Sequence, residues 1–266
     1  MAGPARTLVV IPAYNEEQSL PAVLEELAEQ TPEYDVLVVS DGSVDRTAEM
    51  ARAAGVFVAE LPFNLGIGGA LRTGFRFAVR RDYEQAVQFD ADGQHDPLAV
   101  GRLLEPLDDG ADMVIGSRFA AGGAVTYEVS GIRRAAMQLL RKLVRRLVRQ
   151  DFTDTSSGFR AFSRPMLEFF AVTYPVEYMD SVEALVLAAN AGFRVEEVPV
   201  NMRGRTGGAP STRRLRLVYY YVRLLVVLLV SATSRGQRAR RSVTRHAPGP
   251  SEMGEPETGE PEAGAS

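Results

Sequence analysis

Residues 86–97 read Ala86-Val87-Gln88-Phe89-Asp90-Ala91-Asp92-Gly93-Gln94-His95-Asp96-Pro97. A short apolar run of strand character ends in two carboxylates spaced two residues apart, just ahead of a turn. An Asp that only ends a strand needs no second Asp beside it. Hard divalent cations such as Mg²⁺ and Mn²⁺ take oxygen ligands of this kind, and a cation so placed grips a diphosphate. Gln94 and Asp96 offer further oxygens. The competing reading is a solvated turn that caps a helix starting at Pro97.

The same strand-then-polar pattern recurs upstream. Thr7-Leu-Val-Val-Ile11 reads as a fully buried strand, followed by the loop Pro12-Ala-Tyr-Asn-Glu-Glu17. Ser19 is placed to cap a helix with Pro21 near its first turn and Val23, Leu24 and Leu27 on its apolar face. Asp35 to Ser40 is a second strand, ending in Asp41-Gly42-Ser43. Asp45 to Ala54 reads as a helix closed by Gly55. Val56 to Ala59, Gln85 to Phe89 and Met113 to Ile115 read as further strands, and Ala70 to Arg81 and Pro97 to Leu107 as helices. Alternation of this kind predicts an α/β fold: a Rossmann-like, mostly parallel central sheet flanked by helices. Ligands of such sheets sit beyond the carboxyl ends of the strands. Those ends carry Tyr14, Asp41, Asn64 and the pair Asp90/Asp92.

At 266 residues, 45% hydrophobic and 24% charged, the chain is long and apolar enough to bury a full core. It has no cysteine, which excludes disulfides, thiolate metal sites and a cysteine nucleophile. With only His95 and His246, a multi-histidine zinc site is excluded too. Thr7 to Ile11 is too short for a signal segment. The net charge of -4 hides a division. Residues 1–132 carry 9 Arg against 21 Asp/Glu, residues 133–245 carry 21 Lys/Arg against 8 Asp/Glu, and residues 246–266 carry five Glu and no Lys/Arg. An acidic half able to hold metal is followed by a basic half able to hold anions. Apolar residues mixed among the arginines point to a membrane surface or a lipid phosphate more than to nucleic acid.

Residues 134–149 set Ala136, Leu139, Leu140, Leu143, Val144, Leu147 and Val148 at helical spacing against Arg134, Arg141, Lys142, Arg145, Arg146 and Arg149. Such a basic amphipathic helix lies in a membrane interface or packs with a solvated basic face. Residues 213–234 are strongly apolar at 215–232 but interrupted by Arg223, and a bilayer crossing needs roughly 20 apolar residues. A membrane-lying or protein-packed helix is therefore expected over a span, with Tyr219 to Tyr221 suited to an interface. Residues 235–266 have the Arg-rich, then Gly/Pro/Glu-rich composition of a disordered tail.

Four stretches bear on a site. Tyr14 is placed to stack on a base, and an acid of the same loop to accept from base or ribose donors; the competing reading is a helix-start loop whose acids suit the dipole. Asn64-Leu-Gly66-Ile-Gly68-Gly69 precedes a helix carrying Arg72; its spacing is not the G-x-G-x-x-G dinucleotide fingerprint, and it follows the third strand. It reads as a turn that lets backbone approach a nucleotide. Arg203-Gly-Arg205-Thr-Gly-Gly-Ala-Pro-Ser211 is a basic, glycine-rich loop whose arginine forks match phosphate oxygens. Thr155 to Arg160 is either a ligand-holding polar loop or a plain connector.

In this order, VVIPAYNEE, VVSDGSVDRT, NLGIGGALRTG, FDADGQHDP, IGSRF, DTSSGFRAFSR and RGRTGGAPS resemble glycosyltransferase family 2, whose members share the GT-A nucleotide-sugar fold. The resemblance spans about residues 7–212 and is greatest to the polyprenyl-phosphate sugar synthases. It implies that residues 1–212 form one GT-A domain. It implies that Pro12, Ala13, Tyr14, Glu16 and Asp41 hold the nucleoside, with Gly66 and Arg72 beside it. Asp90, Asp92 and Gln94 match metal-side residues for Mg²⁺ or Mn²⁺. Arg118 and Arg133 match acceptor-phosphate residues. Arg205, or Arg203 in its place, matches the loop arginine over the diphosphate, with Ser211 nearby.

One departure bears on the acceptor. Members that glycosylate hydroxyls carry a Glu-Asp pair whose Asp is the general base, shortly before a helix ending in glycine. Here the stretch is Met179-Asp180-Ser181-Val182-Glu183, and counting back from Gly192 puts Ser181 at the base position. A hydroxyl nucleophile wants such a base, whereas a phosphate monoester is already anionic. The expected reaction is inverting transfer of a hexose from a nucleoside diphosphate sugar to a polyprenyl phosphate. It is expected on the cytoplasmic, inner face of the membrane, with the enzyme peripheral, acting as a homo-oligomer or with a separate membrane subunit. The alternatives are a soluble enzyme acting on a sugar or small-molecule hydroxyl with Asp180 as base, and a non-catalytic nucleotide-sugar-binding scaffold.

Overall fold

A computed structural model describes residues 6–120, 145, 151–175 and 180–204. Arg133, Arg205, Ser211 and the segments 213–234 and 235–266 lie outside the described residues. Of the helix expected at 134–149 only Arg145 is described; it is helical and stands 3.8 Å from the Asp151 carboxylate. Among the described residues no helix is long and apolar enough to cross a membrane.

The chain runs β1 (Thr7–Ala13), α1 (Leu20–Gln30), β2 (Asp35–Asp41), α2 (Thr47–Ala53), β3 (Phe57–Leu61), α3 (Ile67–Arg80) and β4 (Gln85–Gln88). A 3₁₀ turn (Pro97–Ala99) then leads into α4 (Val100–Asp108), followed by β5 (Met113–Ser117). After the undescribed segment come β6 (Arg160–Ser163), α5 (Arg164–Thr173), α6 (Asp180–Ala191) and β7 (Val195–Pro199). The strands form one seven-stranded sheet in the order β3-β2-β1-β4-β6-β5-β7. Six strands share one direction; β6 is antiparallel to both β4 and β5. The expected mostly parallel sheet is thus present, with one reversed strand that the sequence reading did not contain.

Apolar residues on consecutive strand positions bury both faces, as in a central parallel sheet. Leu8, Val10, Leu37 and Val39 face one way and pack with Phe75 and Ala78 of α3 and with Phe170 of α5. Val9, Ile11, Val38 and Val87 face the other way, against Leu20, Leu24 and Leu27 of α1 and Leu103 of α4. On the first face, Phe75, Phe162, Phe170 and Tyr174 form an aromatic cluster with ring centroids 4.9–6.0 Å apart.

Two local expectations need correction. Ser19 was expected to cap α1, but it already has helical dihedrals and makes no side-chain cap bond; its hydroxyl donates to the Glu16 carboxylate instead. The third helix starts at Ile67, three residues before the expected Ala70. Its start is fixed from outside the helix, because Asp41 accepts the N–H groups of Leu65 and Gly66.

Gly74 lets α3 lie close on β1. A Cβ at this position would stand 2.3 Å from Val10 Cγ1, a buried and stiff partner. Gly74→Ala is therefore expected to lower stability by about 1–3 kcal/mol, read as a lower melting midpoint in urea with unchanged slope.

Candidate active site

The strand order reverses between β1 and β4, and the loops leaving their carboxyl ends diverge into one crevice. Tyr14 stands one residue beyond β1 and Asp90 two residues beyond β4. The β1 and β2 loops are laced together. Asn15, held at φ +56°, donates its N–H to Ser43 Oγ and accepts from the Val44 N–H. The N–H of Glu16 donates to Thr47 Oγ1 and that of Glu17 to Asp45. This leaves the Tyr14 ring half exposed at the mouth of the crevice.

Asp41 is buried and does not face open solvent. Its two oxygens accept from the backbone N–H groups of Leu65 at 2.7 Å and Gly66 at 2.8 Å. Burial pushes its carboxyl above the usual range, against the lowering effect of those two bonds. Gly42 allows the approach: at φ +67° a Cβ there would come within 2.5 Å of the Asn64 nitrogen. Asp41 thus holds the glycine-rich turn in place. Arg72 is engaged elsewhere, its Nε donating to the Ala171 carbonyl at the end of α5.

The acid loop is tightly built. Asp92 is buried and accepts the Gln94 N–H at 3.1 Å, closing the turn on itself. Asp96 caps the 3₁₀ turn through the Leu98 N–H, so the capping role weighed for this loop belongs to Asp96. Asp90 is the more open of the pair, with a side chain 30% exposed. Its N–H donates to His95 Nδ1 at 3.0 Å, and its Oδ2 lies 3.4 Å from His95 Nε2. Burial pushes the His95 pKa down, against the opposing charges of Asp90 and Asp92. With Nδ1 accepting, the hydrogen-bond pattern assigns the proton of the neutral ring to Nε2.

Residues 151–159 close the other side. Gly158 sits against Asp90: a Cβ there would be 3.0 Å from Asp90 Oδ2 and 3.1 Å from Gln88 Nε2. Gln88, on β4, is completely buried, and among the described residues neither its amide oxygen nor its nitrogen has a hydrogen-bond partner. Arg160 is also fully buried; its guanidinium donates to the carbonyls of Thr155, Ser157 and Ser181 and so ties this loop to the start of α6.

Arg118 follows β5 and is fixed by a bidentate pair with Asp154, at 2.7 and 2.9 Å, and by Ser156 Oγ at 3.0 Å. Burial alone would raise the Asp154 carboxyl; the hydrogen bonds and charge of Arg118 outweigh it and hold it below the ordinary value of 3.8. The bond to Asp154, helped by the nearby charge of Asp90, raises Arg118. Glu197 of β7 accepts the N–H groups of Thr153 and Asp154 and so anchors the pair from behind. Sequence reasoning missed Asp154, Glu197 and His95 as parts of the site, whereas Gly158 lay in the loop read as either a ligand holder or a connector. DTSSGF and the residue after Gln94 carried a signal for Asp154 and His95, and nothing local did for Glu197.

Arg203, one of two candidates for a diphosphate arginine, has other partners. Its guanidinium pairs with Glu26 at 2.6 Å and Asp96 at 3.3 Å, and its N–H donates to the Gln94 carbonyl. It anchors the start of the basic loop to the acid loop.

This mixed sheet, with acids at its switch point, is the architecture of a GT-A glycosyltransferase. The model of the family described as "Glycosyl transferase family 2" matches residues 8–170, and the chain belongs to that family. It is 35% identical over 211 residues to polyprenol monophosphomannose synthase of Mycolicibacterium smegmatis, across 76% of this chain and 79% of that protein. It is 37% identical over 212 residues to undecaprenyl-phosphate mannosyltransferase of Micrococcus luteus, across 76% of this chain and 86% of that protein. A solved structure of glucosyl-3-phosphoglycerate synthase from Mycobacterium tuberculosis, in complex with Mn²⁺, UDP and phosphoglyceric acid, superposes with a TM-score of 0.66 at 22% identity. The match covers 87% of this chain and 79% of that one. That likeness concerns the fold.

Two outcomes follow. Gly158→Ala is expected to displace Asp90 and lower kcat by about tenfold or more while the melting temperature changes little, checked by steady-state assay beside a thermal melt. Because the folded pKa of Asp154 lies below its unfolded value, its contribution to stability is present above the ordinary carboxylate range and is lost as pH falls through the folded value. Urea unfolding at a series of pH values from 7 down to 3 is expected to show that loss, and Asp154→Asn to abolish this part of the pH dependence.

Proposed function

We propose that this enzyme transfers a hexose, with inversion, from a nucleoside diphosphate sugar to a polyprenyl phosphate at the inner membrane surface. The observation that carries the reading is Arg118. It is a cation clamped by a buried carboxylate yet 39% exposed, on the Asp90 side of the crevice. Both relatives named above take their names from lipid-phosphate mannose products or acceptors, which supports the same class of acceptor here.

The residues around Asp90 fit a divalent cation. Asp90, Asp92 and Gln94 supply only oxygen donors, which suits Mg²⁺ or Mn²⁺. Among the described residues no cluster of three or more His, Cys, Asp or Glu side chains could cage an ion alone, so a cation here needs diphosphate oxygens and water to complete its shell. The unpartnered Gln88 amide beside Asp90 is a buried polar group of the sort found next to a charged centre. When bound, the cation neutralises charge on the departing diphosphate.

The chain's own residues do the rest. Tyr14 stacks on the base, with Pro12, Ala13 and Glu16 lining its edge. Asp41 acts through the Leu65–Gly66 turn it holds. Arg118 and Arg133 orient the acceptor phosphate for in-line attack. One of its oxygens forms the new bond to the anomeric carbon as the bond to the diphosphate breaks, and the nucleoside diphosphate leaves with the electron pair. The acceptor oxygen is already anionic, so no proton has to move and no base is required. Arg203 is occupied with Glu26 and Asp96, so Arg205 is the arginine assigned to the diphosphate.

The test is a panel of nucleotide sugars with Mg²⁺ or Mn²⁺ and a short polyprenyl phosphate, read by product mass. A glycosyl polyprenyl phosphate is expected from one donor. Asp92→Ala is expected to cut the rate by about a hundredfold or more, and Asp180→Asn to leave it nearly unchanged. Product only from hydroxyl acceptors, abolished by Asp180→Asn, would instead identify Asp180 as a base.

A further inference from the structure

Among the described residues, His95 is a buried titratable side chain in the crevice to which the transfer assigns no role. It is 2% exposed and touches Asp90 twice, through the backbone N–H at Nδ1 and near the carboxylate at Nε2. Its ring is itself held. Phe159 stacks on it at 4.5 Å and 18°, and Phe89 meets its edge at 5.2 Å and 88°. Phe159 directly follows Gly158, whose missing side chain leaves room for the Asp90 oxygens. One dipeptide therefore shapes both sides of the same carboxylate: Gly158 admits it and Phe159 fixes the ring that faces it.

We infer that His95, braced by Phe159, is a positioning residue that sets the orientation of the Asp90 carboxylate toward its cation. This rests on the reading of Asp90 as a cation ligand. An imidazole with Nδ1 occupied as an acceptor presents an N–H at Nε2. That N–H stands 3.4 Å from Oδ2, an electrostatic contact that distinguishes one carboxylate oxygen from the other. Partners of this kind, behind a ligand rather than on the ion, set ligand orientation and commonly change metal affinity by about 10–100-fold when removed. A structural role alone would require only the Nδ1 contact that closes the turn.

The two contacts are separable by substitution. His95→Asn puts an amide oxygen where Nδ1 lies and retains an acceptor for the Asp90 N–H, but its amide nitrogen falls short of the carboxylate. His95→Gln carries its N–H donors about as far out as Nε2 and gives up the turn contact. The measurement is Mn²⁺ binding to the full-length protein in the presence of UDP or GDP, followed as loss of the free-ion electron paramagnetic resonance signal beyond that of a protein-free nucleotide control, beside a thermal melt of each variant. His95→Gln is expected to bind within about threefold of the parent, and His95→Asn about tenfold more weakly or worse. The reverse order, or an Asn variant that binds like the parent, overturns the inference while leaving Asp90 as a ligand. If the Asn variant does not fold, Phe159→Leu decides. It removes the stack without altering His95, and unchanged Mn²⁺ affinity there overturns the inference. Asp90→Asn is the separate control: binding equal to the parent's, or no binding by the parent, refutes the cation reading itself and this inference with it.

Discussion

The antiparallel pairing of β6 between β4 and β5 is the constraint on which the site depends. Gln88 pairs with Arg160 and Ile115 with Arg160, so β6 starts level with the carboxyl end of β4 and two residues short of that of β5. Because β6 runs backwards, the segment before it, not the one after it, lies over the crevice. That direction brings Asp154 to Arg118, Gly158 to Asp90 and Phe159 to His95. A parallel β6 would send these residues to the opposite edge of the sheet. The fully buried Arg160 fastens the arrangement by donating to three backbone carbonyls, two in the segment itself and one at α6. Leaving such a guanidinium without partners would be costly, so the loop conformation and the charge hold each other in place.

The electrostatics of the crevice follow from how its charges are paired. Arg118 and Arg203 both lie beside the acid loop, yet each has its own carboxylates: Asp154 for the first, Glu26 and Asp96 for the second. Arg118 is nonetheless over a third exposed and feels the charge of Asp90. A positive group held still, with one face toward solvent and a carboxylate pair within its field, is preorganised for an anion that arrives beside a cation. Its Asp154 partner lowers the entropic cost of holding the long side chain, while Glu197 makes Asp154 itself rigid.

The first half of the fold was legible because its strands are buried on both faces and its helices alternate with them. Leu8 to Ile11 and Leu37 to Val39 are apolar at every position and admit little other reading. The second half was not. β6 begins with Arg160, a charge that hides a four-residue strand, and β7 carries Glu196 and Glu197 at its centre because it lies at the sheet edge. The acid pair, Tyr14 and Arg118 were legible as candidates from motif and position. Their supports were not, since Asp154, Glu197 and His95 act through contacts across 36, 43 and 5 residues that no local pattern encodes. Arg203 and Arg205 were indistinguishable in sequence. The ion pairs of Arg203 with Glu26 and Asp96 make it a tether for the loop and support the proposal that Arg205 serves the diphosphate.

The choice of histidine behind Asp90 has a physical reason that bears on the whole crevice. A lysine or arginine there would orient the carboxylate strongly, but it would also neutralise the charge that attracts a cation. A serine or amide would keep the charge, but its dipole turns freely unless packed. A neutral imidazole, driven to that state by burial, orients through Nε2–H without adding charge, and its flat ring is held by Phe159 and Phe89. The aromatic pair thus has an electrostatic consequence. It excludes water from His95, keeps the ring uncharged, and so preserves the negative potential at the open oxygen of Asp90. Arg118, kept on its own buried carboxylate, leaves that potential in place from the other side. The acid loop stays negative and the Arg118 guanidinium positive within a single crevice, which is the polarity that the proposed reaction would need.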